Sequence, residues 1–124
     1  MLTLAIIEDN ASYRTTLSKM LQRHPDVQVL HEMGSCHEMI PYFEVDLPDV
    51  VIMDIDLPDI SGIEAVWQLK QRWPDLKVLM LTVFEEPEKI FGAIKAGANG
   101  YLLKKIRQIK YWKPFSACKT GRPS

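Results

Sequence analysis

Acidic residues close the apolar runs of this chain with unusual regularity. Glu8 and Asp9 follow the run 2–7, Asp54 follows Val50-Val51-Ile52-Met53, and Asp56 lies two residues on. Thr82 ends the run 76–81, and Lys104 follows Tyr101-Leu102-Leu103. Brought to one place, the carboxylates would repel and raise one another's pKa unless a cation joined them. A hard cation with oxygen ligands, Mg²⁺, suits such a set and usually keeps several waters. A carboxylate beside that ion can attack phosphorus and form an aspartyl phosphate. The metal and a lysine would neutralise the transferring phosphoryl group, and a hydroxyl would hydrogen-bond one of its oxygens. Singly, each residue is ordinary: an Asp at a strand end is usually a turn residue, and a Thr in an apolar strand is usually a β-former. The ordered set is the specific signal.

Alternating strands and helices must position these residues. The run 2–7 reads as a strand. Tyr13, Leu17, Met20 and Leu21 then recur on one face of a helix, with Asn10 at its N-cap and Pro25 beyond its end. A second strand is expected over 27–30, and a helix capped by Ser35 running to about Val45, with Pro41 as its weak point. The run 50–53 is β-branched and uninterrupted, as in a strand buried on both faces. A turn-rich loop leads to a helix over 63–73, and 76–81 is another buried strand. Pro87 suits the first turn of a helix carrying Ile90, Phe91 and Ile94, which ends at Gly97 and Gly100 before a fifth strand over 101–103. Strict β-α alternation implies a doubly wound α/β fold with a parallel sheet. Ligand sites in such sheets lie outside the carboxyl ends of the strands, where the acids, Thr82 and Lys104 fall.

Composition is that of a globular domain: 124 residues, 47% hydrophobic and 25% charged. The net charge of −1 hides a split. Residues 1–103 hold 8 Lys+Arg and 16 Asp+Glu, a net of −8, while 104–124 hold 7 Lys+Arg and no acid. An acidic body argues against DNA binding by the body itself. No apolar run is long enough to span a bilayer, which takes about 18–20 residues. The first residues lack the basic n-region and cleavage site of a signal peptide. A cytoplasmic protein with free thiols at Cys36 and Cys118 is therefore expected. His24, His31 and His37 show no ligand spacing. Trp67 and Trp73 read as core or helix-face packing, and the basic tail with Tyr111 and Trp112 as a solvated segment.

The segments IIEDN, VIMDIDLPDISGIEA, LMLTVFEE and GANGYLLKK resemble the receiver domain of bacterial two-component response regulators, most like the NarL/FixJ (LuxR-type) transcriptional regulators. The resemblance covers about residues 2–105. It implies a flavodoxin-like (βα)5 fold with a five-stranded parallel sheet. It implies that Asp54 accepts a phosphoryl group from a sensor histidine kinase. Glu8 and Asp9 would hold Mg²⁺ with Asp54 and the backbone carbonyl of Asp56. Thr82 would be the switch hydroxyl, Lys104 the phosphate-contacting lysine and Tyr101 the rotating aromatic. Pro58 and Gly62 match the turn after the acceptor. Receivers of this type usually precede a helix-turn-helix domain, so DNA would be reached through a domain other than this one; a stand-alone receiver acting by docking is the alternative.

The chain departs from the family at its end. Lys105 stands where the wider family usually has proline. Ile106, Ile109 and Trp112 give about two helical turns before Pro114, against a long fifth helix in the family. A receiver domain over 1–105 and an atypical basic segment over 106–124 are expected, with a homodimer as one way to cover the face that a shortened fifth helix would leave. Two rivals are weaker. Asp54-Ile55-Asp56 resembles the DxD of haloacid-dehalogenase-type phosphatases, but that family carries it on the first strand and leaves Glu8-Asp9 without a role. A flavodoxin-like carrier would want a phosphate-cradling loop after the first strand, where EDNASY is acidic.

Overall fold

A computed structural model describes residues 1–82 and 87–104 of the chain. The elements run β1 (Leu2–Ile7), α1 (Ala11–Leu21), β2 (Val27–Met33), α2 (Met39–Val45), β3 (Val50–Asp54), α3 (Gly62–Arg72), β4 (Lys77–Thr82), α4 (Pro87–Ala96) and β5 (Gly100–Leu103). The five strands form one sheet in the order β2-β1-β3-β4-β5, and every pair is parallel. This is the doubly wound α/β fold expected from the alternation. The expectations for 106–124, the shortened fifth helix among them, lie outside the described residues.

Strand periodicity sorts the core into two layers. Ala5, Ile7, Val51, Met53, Val78 and Met80 face one way, against Phe43 of α2 and Val66 and Leu69 of α3. Leu4, Ile6, Val50, Ile52, Leu79 and Leu81 face the other, against Leu17 and Leu21 of α1. All five residues of β3 are buried, as its continuous apolar run required. Trp73 packs edge-on against Phe43, whereas Trp67 sits exposed on the α3 surface. Cys36 is a buried free thiol, pushed up to about 12 first by that burial.

Local chemistry sets the element ends. Asn10 caps α1 by accepting from the Tyr13 N–H at 2.9 Å. Ser61 caps α3 through the Ile63 N–H. Gly97 ends α4 with φ of +119°, a backbone state that favours glycine. The second helix differs from expectation. It begins at Met39 after Glu38, and the Ser35 hydroxyl instead faces the His37 N–H. The later start places Pro41 in the first turn, where a missing N–H leaves no helical bond unmade. The second strand is longer than expected and runs to Met33, because Ile6 and Ile7 of β1 pair with Glu32 and Met33.

Candidate functional site

The two central strands, β1 and β3, end side by side, with Ile7 opposite Met53. The next residues, Glu8-Asp9 and Asp54, therefore reach one rim. Ligand oxygens of Glu8, Asp9 and Asp54 all lie within 4.8 Å of one another, and this is the one such cluster among the described residues. Glu8 is fully buried and Asp54 is 4% exposed, while Asp9 is exposed at the rim. β4 and β5 end beside them. Thr82 is buried, and its carbonyl accepts from the Lys104 N–H at 2.7 Å, which turns Lys104 toward the acids.

Lys104 supplies the positive charge. Its Nζ donates to Asp54 Oδ2 at 3.1 Å and lies 2.5 Å from Glu8 Oε1. Glu8 Oε2 accepts from the Asn10 N–H at 2.9 Å, and the Glu8 carbonyl accepts from Arg14. Burial pushes Glu8 up to about 7, although Lys104 and the Asn10 amide pull the other way. A hydrogen bond from Glu8 holds Asp9 below its usual range, against the opposing effect of burial. Burial works against the Lys104 ammonium, but its bonds to Glu8 and Asp54 more than offset this and raise it. The cluster is thus anionic and short of cations. Glu8 Oε1, despite its ion pair, makes no aligned hydrogen bond.

The loop after β3 completes the rim. The Asp56 N–H donates to Asp54 Oδ1 at 3.1 Å, so each oxygen of Asp54 has one donor. The Asp56 side chain turns away and pairs with Lys89 of α4 at 2.9 Å. Asp9, Asp56, Pro58 and Lys89 are among the residues lining a cleft of about 440 Å³ beside the loop after β3. Gly62 begins α3 where a Cβ would lie 2.6 Å from the Asp54 carbonyl and 2.8 Å from the Ile55 Cα. Gly62→Ala must therefore move the end of β3. We expect it to lose about 1–3 kcal/mol of stability, as overpacked sites do, and to weaken any ligand of Asp54; urea melts of the two proteins check this.

Of the residues assigned a role in the site from sequence, Tyr101 lies apart from this rim. It stands on β5 opposite Met80, and its side chain is 39% exposed. Lys89, Arg14 and Tyr13 also reach the site, though no spacing in the sequence marks them. They arrive through helix packing, which joins residues far apart in the chain. Histidines take no part in the cluster; His31 stacks on Tyr42 and contacts the Asp46 carbonyl. Among the described residues no helix is long and apolar enough to cross a membrane.

Known proteins resemble this chain in sequence and in fold. The family described as response regulator receiver domain matches residues 4–113. The transcriptional regulatory protein DegU of Brevibacillus brevis is 34% identical over 103 residues, covering 83% of this chain and 44% of DegU. The DNA-binding transcriptional activator DevR/DosR of Mycobacterium tuberculosis is 34% identical over 122 residues, covering 98% of this chain and 56% of DevR/DosR. A crystal structure of a LuxR-family two-component response regulator from Aurantimonas sp. SI85-9A1 superposes with a TM-score of 0.88 at 25% identity, covering 98% of this chain and 86% of that one. The chain spans about half the length of these curated relatives. It belongs to the response regulator receiver domain family, and its relatives are transcriptional regulators of the LuxR type.

Proposed function

We propose that Asp54 is the phosphoacceptor of a two-component phosphorelay, charged by a sensor histidine kinase. The observation that carries this is the placement of a buried Asp54 carboxylate between Lys104 and the Glu8-Asp9 pair. An Asp54 oxygen attacks phosphorus, the P–N bond to the donor histidine breaks, and the imidazole keeps the electron pair and takes a proton. Lys104 faces the charge that builds on the phosphoryl oxygens. The Asp56 N–H orients the carboxylate. Thr82, at the end of the neighbouring strand, supplies the hydroxyl that hydrogen-bonds the phosphoryl group, and Tyr101 turns inward to report the change on the α4–β5 face. Pro58 and Gly62 hold the turn that presents the acceptor.

The donor set fits a hard divalent cation. Three converging carboxylates face one ammonium, and a buried oxygen of Glu8 lacks an aligned hydrogen bond. Glu8, Asp9, Asp54 and the Asp56 carbonyl would hold Mg²⁺. When bound, Mg²⁺ neutralises negative charge on the phosphoryl oxygens. Removing even an outer-shell partner of a metal costs about 10–100-fold in affinity, so Asp9→Ala, which removes a direct ligand, is expected to lose at least that much. Calorimetric Mg²⁺ titration checks it, and undiminished affinity would exclude this site.

The chain is read as a signalling phosphoacceptor of the cytoplasm rather than as an enzyme acting on metabolites. In this reading the receiver spans 1–105, and the sequence over 106–124 is basic. Output is transcription regulation through a DNA-binding domain, the activity named for DevR/DosR, with a homodimer as the assembly. The phosphatase alternative leaves the buried Glu8–Lys104 pair unused. Acetyl phosphate supplied with Mg²⁺ tests the reading: the intact protein should gain one phosphoryl group, and none should be gained with EDTA present. Equal incorporation with and without the metal would contradict it.

A further inference from the structure

Lys104 is a long side chain asked to hold one position. Its ammonium serves two buried acids, yet the side chain is only 14% exposed, so a definite surface must back it. That surface is Tyr13. The Lys104 Nζ lies 5.4 Å from the centre of the Tyr13 ring, within the range at which a ring face attracts a cation. Tyr13 is held by its backbone and by the core. Its N–H bonds to the Asn10 side chain that caps α1. The Asn10 N–H in turn bonds to Glu8 Oε2. The ring packs on the core layer that contains Leu17 and Leu21. One short loop therefore aims Glu8 and an aromatic face at the same ammonium.

The contact with Lys104 is made by the ring and not by the hydroxyl. Tyr13 Oη is buried and has no hydrogen-bond partner among the described residues. A buried hydroxyl without a partner costs stability. What the site uses is the ring.

We infer that Tyr13 is a positioning residue whose ring face holds the Lys104 ammonium against Asp54. The inference rests on the phosphoacceptor reading for its consequence, and on the Tyr13–Lys104 contact for its geometry. With the ring gone, Lys104 keeps its charge but loses the surface that confines it, so fewer molecules present the ammonium to the transferring phosphoryl group. Nothing about the acids changes.

Three variants of the full chain test this: Tyr13→Phe, Tyr13→Leu and Tyr13→Met, the last filling the space without a ring should the leucine variant fold poorly. The readouts are the initial rate of phosphorylation by acetyl phosphate with saturating Mg²⁺, and the NMR signal of the Lys104 side chain, which a ring face shifts upfield. The phenylalanine variant should keep both the rate and the upfield signal. The leucine and methionine variants should lose about three- to tenfold in rate, the worth of a partly desolvated cation–ring contact, and their Lys104 signal should move to that of a free lysine. Wild-type rates in the ringless variants would overturn the proposal. So would a phenylalanine variant as slow as the ringless ones, since the hydroxyl would then be the working group. If no protein, wild type included, takes up phosphate, the acceptor reading fails. The Lys104 signal still decides whether the ring holds the ammonium.

Discussion

Asp54→Asn is expected to reduce phosphoryl uptake from acetyl phosphate and Mg²⁺ to background while leaving the fold intact. The nucleophile is a carboxylate oxygen, and an amide has neither its charge nor its basicity. Asparagine fills the same volume at the end of β3, and its carbonyl can still accept from the Asp56 N–H that now bonds Asp54 Oδ1. The nearby carboxylates are poor substitutes. Asp56 is turned outward and paired with Lys89. Glu8 is buried against Lys104 and raised to about 7. Asp9 stands at the rim, where it serves the metal in this account. Intact mass spectrometry checks the loss, and circular dichroism with a thermal melt checks the fold.

Lys104→Ala should have the largest effect on stability in the absence of metal. Lys104 contacts both Glu8 and Asp54, and removing one partner of a buried ion pair costs about 3–5 kcal/mol because a charge is left uncompensated. A typical domain holds only about 5–15 kcal/mol in total. The loss should depend on pH in a definite direction. Glu8 in the folded wild type titrates at about 7, above its ordinary 4.5. Its contribution is thus fully present below 4.5 and is lost as pH rises through 7. Without Lys104 the buried Glu8 carboxylate is harder to ionise, so the gap to wild type should be smaller at pH 5 than at pH 8. Excess Mg²⁺ should narrow the gap at pH 8, because the metal binds the ionised form and replaces the missing positive charge. Urea melts at the two pH values, with and without Mg²⁺, check all three statements. A gap to wild type that is the same at both pH values would show that Glu8 does not depend on Lys104.

Much of this architecture is legible before folding because it follows from short-range rules. The buried strands β3 and β4 announce themselves as unbroken apolar runs, and parallel topology then fixes that their final residues share a rim. Asn10 is readable as a cap because capping chemistry is local. The start of α2 is not readable in the same way. Ser35 and Glu38 both stand before a helical pattern, and only the path of the chain from β2 decides which of them precedes the first turn. The contacts Lys89–Asp56 and Tyr13–Lys104 are invisible in spacing, since each joins residues on different elements brought together by crossovers. The burial that raises Glu8 is likewise a product of the assembled sheet. An acid at the end of a strand looks the same in sequence whether it is buried, like Glu8, or exposed, like Asp9.

The central claim is that Asp54 alone among these acids receives the phosphoryl group, and the position of the modification tests it most directly. The wild-type protein would be treated with acetyl phosphate and Mg²⁺ and reduced with borohydride, which converts an aspartyl phosphate to homoserine. Fragment mass spectrometry would then locate the altered residue. A single conversion is expected, at Asp54. Conversion at Asp9 or Asp56, or a phosphoryl group found on a histidine, would contradict it.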